Sequence, residues 1–226
     1  MFKLNGVPLM PDLSGALFWP EARTLIVADL HLEKGSSYAS GGQLLPPYDT
    51  SEALANLAAA IRRREARCVI CLGDSFHDAG APGRLPASQR ALLAHLTRGT
   101  DWIWIAGNHD PALPEDFGGS VLDEYRAGPL TFRHIARPRA APGEISGHFH
   151  PMARVRSYGH NVTRPCFVVT GARVILPAFG AFTGGLDVCD PAFAPLLTND
   201  FEVVMVGRSK LFRFPAAQLE GYPLPR

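Results

Sequence analysis

The chain has 226 residues, of which 46% are hydrophobic and 19% are charged. This composition supplies enough apolar side chains for a core and excludes an intrinsically disordered protein. The formal net charge is only +1, which excludes a protein that coats DNA through its overall charge. Domains hold roughly 150 residues, so we expect a single domain over residues 1–226.

Neither the cysteines nor the apolar segments indicate an extracellular or membrane protein. The four cysteines, at positions 68, 71, 166 and 189, are too sparse for a disulfide framework. No apolar run reaches the roughly 18 residues that span a bilayer. Asn5 and Pro8 interrupt the N-terminal segment where a secretion signal would lie. We therefore expect a cytoplasmic protein.

The first half of the chain alternates strand and helix patterns. Short apolar runs typical of buried strands cover residues 24–28, 67–72 and 101–106. Residues 50–65 and 87–98 carry apolar side chains at helical spacing between them. Asp49 and Glu52 have the spacing of a capping box, and Gly99 is typical of a helix end. This order predicts a parallel or mixed sheet covered by helices.

The second half is mostly β. Strands are expected at residues 131–136, 144–147, 167–176, 202–206 and 210–214, with loops at 79–86 and 138–143. Two sheets packed face to face with outer helices would unite both halves in one mixed α/β (α+β) domain.

Polar clusters follow several of these predicted strands directly. They are Asp29-Leu30-His31, the segment 73–78, the segment 107–110, His134 and the segment 147–150. Loops at the carboxyl ends of strands bind ligands in open α/β sheets. The clusters offer carboxylate, amide and imidazole groups without a thiolate pair, which suits Mn, Fe or Zn. Two carboxylates, one amide and four imidazoles exceed one ion's needs and favour two ions that share a bridging carboxylate.

The motifs DLH, GDSFHD, GNHD, a later histidine and GHFH, in this order over residues 29–150, resemble those of the calcineurin-like metallophosphoesterases. The resemblance implies a four-layer αββα sandwich of two mixed sheets with flanking helices. It also implies that Asp29, His31 and His150 bind a first metal, that Asp74 bridges, and that His109 faces the substrate. Asn108, His134 and His148 would complete the second metal's ligands. His134 competes with His95 and His160 for its role, because its motif is a single residue.

A narrower resemblance rests on ADLHLEKGSS, GDSFHD and AFGAFTGGL, the last covering residues 178–186. These segments are similar to those of the bacterial ligase-associated DNA-damage-response phosphoesterases, which are described as endonucleases. The resemblance implies a role in DNA repair and partners such as an ATP-dependent DNA ligase, a helicase and an exonuclease-like protein. Tight turns between β elements would explain the glycines of 178–186 equally well.

His77 stands where phosphoprotein phosphatases of this superfamily carry an aspartate, and Asp78 stands where they carry an arginine. The GDxFH form resembles the double-strand-break repair nucleases instead and favours a phosphodiester substrate. His77 then faces the scissile phosphate as a catalytic group, or it orients a metal ligand. Both interpretations stay open at this point.

Positive charge is concentrated in the residues from Arg133 to Arg173. This window holds seven arginines and one acidic residue, Glu144, for a net charge of +6. Because it brackets His134, His148 and His150, we expect Arg133, Arg154 and Arg156 to contact a nucleic-acid backbone. Solvated loop arginines are the alternative.

The sequence therefore predicts a phosphoesterase with two divalent metal ions, most simply Mn, with Fe or Zn as alternatives. The expected substrate is DNA or another nucleotide phosphodiester. One rival is a phosphodiesterase or phosphatase for small molecules or cyclic nucleotides on the same fold. The other is a non-catalytic scaffold, which the complete set of motif residues disfavours.

Overall fold

The computed structural model describes residues 1–43, 45–46, 48–111, 113–139, 141–198 and 200–222. A first sheet contains seven strands, β1 to β7, in chain order. They are Phe2–Leu4, Val7–Pro11, Leu17–Trp19, Thr24–Val27, Cys68–Leu72, Asp101–Ile105 and Ser120–Leu122. The helices α1 to α4 are Lys34–Ser40, Asp49–Arg64, Ala81–Arg84 and Ala87–Gly99.

A second sheet contains nine strands, β8 to β16. They are Glu124–Ala127, Leu130–Arg133, Glu144–Ser146, Pro151–Ser157, His160–Val169, Arg173–Ile175, Leu186–Asp187, Glu202–Val206 and Leu211–Pro215. Short 3-10 helices cover Glu115–Phe117, Pro191–Phe193 and Ala216–Gln218. The prediction of two mixed sheets with flanking helices is confirmed.

Three apolar layers hold the sheets and helices together. Ile26, Ile70 and Phe132 belong to the layer between the two sheets, where all three are fully buried. Leu54 of α2 and Leu93 of α4 pack with the opposite face of the first sheet. The outer face of the second sheet packs against the loops and 3-10 helices of residues 186–222, among the residues that the structure describes. Alternating side chains make this possible, since successive residues of a strand point to opposite faces.

One predicted strand is wrong. The apolar run 167–176 is not continuous, because β12 ends at Val169 and β13 begins at Arg173, and the two pair antiparallel. The side-chain oxygen of Thr170 accepts the backbone N–H groups of Ala172 and Arg173, at 3.1 and 3.0 Å. Such local hydrogen bonds from threonine make a tight reversal that apolar periodicity does not reveal.

The predicted capping box of α2 is also wrong. Asp49 is the first residue of the helix, and no side chain caps the helix at Tyr48. The Asp49 carboxylate accepts the backbone N–H of Gly35 at 2.9 Å, and the Thr50 hydroxyl donates to the Glu33 carboxylate at 2.9 Å. The start of α2 therefore holds the segment that follows His31. The loop expected at 79–86 contains the short helix α3.

Parallel pairing brings the motif-bearing loops to one edge of the molecule. In the first sheet, β4, β5 and β6 are parallel neighbours. In the second sheet, β9 and β10 are parallel neighbours. Because parallel strands end at the same edge, the loops after these strands converge in space. Among the described residues, no helix is long and apolar enough to cross a membrane.

Candidate metal centre

The loops after the parallel strands form two groups of possible metal ligands. The first group is Asp29, His31 and His150, and the second is Asp74, His134 and His148. Within each group, one nitrogen or oxygen atom from every residue lies within 4.8 Å of the others. Six of the seven expected metal ligands therefore meet in two clusters. His95 and His160 belong to neither cluster, so the structure favours His134 over both competitors.

Asp74 connects these clusters, and Asn108 extends the second one. One carboxylate oxygen of Asp74, Oδ2, lies 3.3 Å from Nε2 of His134 and 4.0 Å from Nε2 of His31. It is therefore within reach of both groups. The amide oxygen of Asn108 lies 2.8 Å from Nε2 of His134, which adds the seventh expected ligand to the second group.

Backbone carbonyls fix the orientation of two of these histidine rings. Nδ1–H of His134 donates to the carbonyl oxygen of Leu72 at 2.8 Å. Nδ1–H of His150 donates to the carbonyl oxygen of Gly184 at 3.1 Å. Because a carbonyl only accepts, Nδ1 of each ring carries a proton, and Nε2 is the nitrogen that the neutral ring can offer to a metal ion. Metal-binding histidines are commonly oriented by this kind of hydrogen bond.

The charges of this centre fit a bound cation. Asp29 and Asp74 are buried, and among the described residues their carboxylates form ion pairs only with histidines. Burial, and then the charge of His150, lowers the pKa of His31 to about 3, so this ring is neutral at pH 7. Buried carboxylates without a guanidinium or ammonium partner need another source of positive charge. Divalent metal ions fit this donor set.

Five residues of the two clusters have a strained backbone. Left-handed backbone geometry occurs at Asp29, His31, Asp74, His148 and His150, with φ between 43° and 71°. Such geometry costs about 1–3 kcal/mol per residue outside glycine, and it concentrates at functional sites. These five residues therefore lower the stability of the fold, and in return their side chains are directed into the two clusters.

Gly107, in the motif GNHD, lies against the candidate bridging residue. A Cβ atom at this position would overlap the backbone nitrogen and the carboxylate of Asp74. We expect Gly107→Ala to destabilise the protein by about 1–3 kcal/mol and to lower its metal content. Thermal unfolding and elemental analysis of the purified variant measure both effects.

Gly99 provides the matched control for this prediction. It ends α4, and a Cβ atom there would meet no heavy atom within 4 Å. Gly99→Ala should therefore leave metal content unchanged and stability equal or slightly higher. Equal stability and metal content in both variants would contradict the role assigned to Gly107.

Asp110, the last residue of GNHD, is a site residue to which sequence reasoning assigned no role. Its buried carboxylate accepts the backbone N–H of Phe76 at 2.9 Å. Burial raises the pKa of Asp110 to about 6. The carboxylate thus ties the GNHD loop to the GDSFHD loop. The position of Asp110 in the motif GNHD was the only hint of a role in the sequence. Its partner Phe76 lies 34 residues away in sequence, so the contact itself was not visible.

His109 lies at the mouth of the centre with its ring held from one side. Its backbone N–H donates to Oδ1 of Asp74 at 2.9 Å, and its Nδ1–H donates to the carbonyl oxygen of His77 at 2.9 Å. Its Nε2 lies 4.0 Å from Oδ2 of Asp74, and the side chain is 42% exposed. This nitrogen is therefore free to meet a ligand that approaches from solvent.

His77 contacts both a candidate metal ligand and His109. Its Nδ1 lies 3.4 Å from Nδ1 of His31. Its ring is nearly parallel to that of His109, with centroids 5.5 Å apart and an angle of 18°. Both expected roles, facing the substrate and orienting a ligand, agree with this position.

The three arginines expected to bind nucleic acid differ in their surroundings. Arg133 is buried and forms ion pairs with Glu124 at 2.6 Å and Glu144 at 3.1 Å. The expectation for Arg133 is therefore corrected, because its charge is neutralised inside the second sheet. Arg154 and Arg156 are exposed at alternate positions of β11 and so share one face of that strand. Arg154 lies 3.4 Å from Asp187.

The glycine-rich segment 178–186 borders the centre. The backbone N–H of Phe179 donates to the carbonyl oxygen of Ala28 at 2.8 Å, and that of Gly180 donates to the carbonyl oxygen of Asp29 at 3.1 Å. A Cβ atom at Gly180 would overlap the carbonyl oxygen of Leu30. The segment therefore does more than turn between strands, since it packs against the loop that carries Asp29 and His31.

Comparison with known proteins agrees with this geometry. The family model described as calcineurin-like phosphoesterase matches residues 22–174. Among solved structures, the chain is similar to the nuclease MPE of Pseudomonas putida, with 25% sequence identity, a TM-score of 0.73 and coverage of 94% of this chain and 98% of that chain. A weaker likeness, with 12% identity and a TM-score of 0.41, covers 84% of this chain and 97% of Yfce, a phosphoesterase from E. coli. No curated protein matches the chain.

Proposed function

Because the chain belongs to the calcineurin-like phosphoesterase family, we propose that this metal-dependent phosphoester hydrolase cleaves phosphodiester bonds in nucleic acid. The observation that carries the proposal is the buried Asp74 carboxylate, whose Oδ2 is within 4.0 Å of histidines from both ligand groups. A carboxylate in this position suits two metal ions held close together, and two-metal sites are typical of phosphodiester cleavage.

We assign the metal ligands by group. Asp29, His31 and His150 would hold one ion, Asn108, His134 and His148 would hold the other, and Asp74 would serve both. The oxygen and imidazole donors suit Mn, with Fe and Zn as alternatives. When bound, the ions supply positive charge that neutralises phosphoryl oxygens and lowers the pKa of water.

His109 is the proposed proton donor. Its Nδ1–H is occupied by the His77 carbonyl, so Nε2 is the atom that can deliver a proton to the leaving oxygen. Asp74 accepts the backbone N–H of the same residue, which fixes the ring relative to the metal ligands. His77, stacked on His109, is the second group that we expect beside the phosphate.

Three observations support a nucleic-acid substrate and a role in DNA repair. The solved structure that resembles this chain over 94% of its length is a nuclease. The GDSFHD motif carries His77 instead of the residues typical of phosphoprotein phosphatases. The strand β11 begins directly after His150 and exposes Arg154 and Arg156. Association with a ligase, a helicase and an exonuclease-like protein stays a prediction from the sequence.

The rival substrate is a small phosphodiester, and the ion pairs of the second sheet favour it. Glu144 pairs with Arg173 at 3.2 Å as well as with Arg133. Glu144 is already counted in the +6 of the sequence window, but two acidic residues outside it, Glu124 and Asp187, pair with Arg133 at 2.6 Å and Arg154 at 3.4 Å and lower the free positive charge further. Purified protein with Mn, tested on a chromogenic phosphodiester, a phosphomonoester and labelled DNA, distinguishes the substrate classes.

Replacing Arg154 and Arg156 together by alanine should weaken DNA binding while sparing a small phosphodiester. Each phosphate contact contributes a slope of roughly −0.9 in the logarithmic dependence of affinity on salt for duplex DNA. The wild type should therefore lose affinity steeply as salt rises, and the variant should show a slope that is shallower by about 1–2. Fluorescence anisotropy of labelled DNA at several salt concentrations measures this change.

The matched control is the double variant Arg62→Ala with Arg98→Ala. Both arginines are exposed, but they lie on α2 and α4, which cover the first sheet away from β11. This variant removes the same charge and should keep the wild-type salt slope. DNA binding that is absent at low salt, or equal in both double variants, would refute the proposed role of these two arginines.

A further inference from the structure

A row of aromatic rings leads from the metal centre to the surface at α1. The ring of His77 lies 5.4 Å from that of His31 and 5.5 Å from that of His109. On its other side, the ring of Tyr38 lies 5.8 Å from His77 with an angle of 37°. The Tyr38 side chain is 37% exposed. The row therefore ends in an aromatic surface that is open to solvent.

Lys34 places an unpaired positive charge beside this ring. Its Nζ lies 5.8 Å from the Tyr38 ring centroid. Among the residues that the structure describes, no carboxylate forms an ion pair with it; Asp49 attracts it only at longer range. The ammonium group of Lys34 can therefore bind a phosphate group of a ligand.

The helix that carries both residues is held in position. The backbone N–H of Gly35 donates to the buried carboxylate of Asp49 at 2.9 Å. The guanidinium of Arg84 donates to the hydroxyl of Ser36 at 3.0 Å and pairs with Asp78, next to His77 in sequence. These contacts join α1 to the loop of His77. A side chain on a supported element binds with little loss of conformational freedom.

We propose that Tyr38 and Lys34 form a nucleotide subsite, in which the base next to the scissile bond stacks on Tyr38 and Lys34 contacts the adjacent phosphate. This inference rests on the proposed function in nucleic-acid cleavage. Because His77 lies next to both Tyr38 and His109, the proposed donor to the leaving oxygen, we assign the stacked base to the leaving nucleotide. Aromatic platforms bind bases of any sequence, since every base has a π face.

The test uses DNA that is cleavable at one position. In a labelled oligonucleotide, phosphorothioate linkages protect every bond but one, and an abasic residue is placed on either side of that bond. Tyr38→Ala should raise KM for the intact oligonucleotide about 10- to 100-fold. The wild type should lose a similar factor when the leaving nucleotide is abasic, and Tyr38→Ala should lose nothing further on that substrate.

Other readouts separate stacking from a structural or catalytic role. Methyl p-nitrophenyl phosphate has no base, so Tyr38→Ala and Lys34→Ala should hydrolyse it at the wild-type rate with unchanged metal content. Tyr38→Phe keeps the ring and should behave as the wild type on DNA. Lys34→Ala should raise KM for the intact and both abasic oligonucleotides alike.

The chain contains a matched control pair at the start of the edge strand β16. Nζ of Lys210 lies 5.1 Å from the ring of Phe212, which is 40% exposed. No described contact joins this pair to the metal centre, so Phe212→Ala and Lys210→Ala should cleave DNA normally.

Two results would overturn the subsite. One is normal DNA cleavage by Tyr38→Ala, and the other is an equal loss on DNA and on methyl p-nitrophenyl phosphate. A wild type that hydrolyses the small ester and cleaves no DNA would instead refute the proposed function, and the subsite with it.

Discussion

Asp74→Asn is expected to reduce the metal content at saturation from two ions to one or fewer and to lower turnover by at least about 10³-fold. The carboxylate is within 4.0 Å of histidines from both ligand groups, so its loss weakens both sites. A metal ion supplies several kcal/mol of transition-state stabilisation, and about 4 kcal/mol corresponds to 10³ in rate. Elemental analysis after reconstitution with Mn and hydrolysis of a chromogenic phosphodiester measure the two effects.

Asparagine is the informative substitution because it preserves the local structure. Its amide oxygen still accepts the backbone N–H of His109, and asparagine tolerates the left-handed backbone at this position, where φ is 47°. Asp74→Ala removes the hydrogen bond as well and should be more damaging. Asp101→Ala, at an exposed carboxylate, is the control. Two tightly bound ions in Asp74→Asn would exclude a bridging role for this residue.

His109→Ala should keep both metal ions and still slow the cleavage of unactivated phosphodiesters by about 10²- to 10⁴-fold, the range typical of a lost general acid. His109 belongs to neither of the two ligand groups. Its side chain is 42% exposed. A series of aryl and alkyl phosphodiesters reveals the role, because good leaving groups need little protonation and should lose less.

His95→Ala is the control for this experiment. His95 lies on α4 outside both ligand groups, so its removal should leave the leaving-group dependence unchanged. Release of metal from His109→Ala would make this residue a ligand. An equal rate loss for p-nitrophenyl and alkyl leaving groups would exclude proton donation.

Sequence and structure agree best for the motif segments that directly follow predicted strands. The segments around Asp29, Asp74 and Asn108 follow strands whose apolar runs are visible in the sequence, and those strands are parallel neighbours. Parallel strands end at one edge, so the order of motifs along the chain already implied their convergence. The family, the fold class and the convergence of the candidate ligands could therefore be predicted.

Two of the errors concern residues whose partners lie on a neighbouring strand or helix. Charge counting treated Arg133 as a surface group, yet its partners Glu124 and Glu144 lie on neighbouring strands. The spacing of Asp49 and Glu52 suggested a cap, yet Asp49 bonds to Gly35 on another helix. Net charge and local spacing carry no information about such pairs, because sheet pairing and helix packing create them.

The sequence by itself determined which chemistry is present, since the types and order of the motif residues are properties of the chain. Only the tertiary structure decided which of those groups are neutralised by ion pairs, which are fixed by packing and which stay accessible to a ligand. It buried Arg133, packed the segment 178–186 against the loop of Asp29, and set Tyr38 beside His77. The physical reason is that burial and ion pairing depend on distances in space, which the fold sets and sequence separation does not.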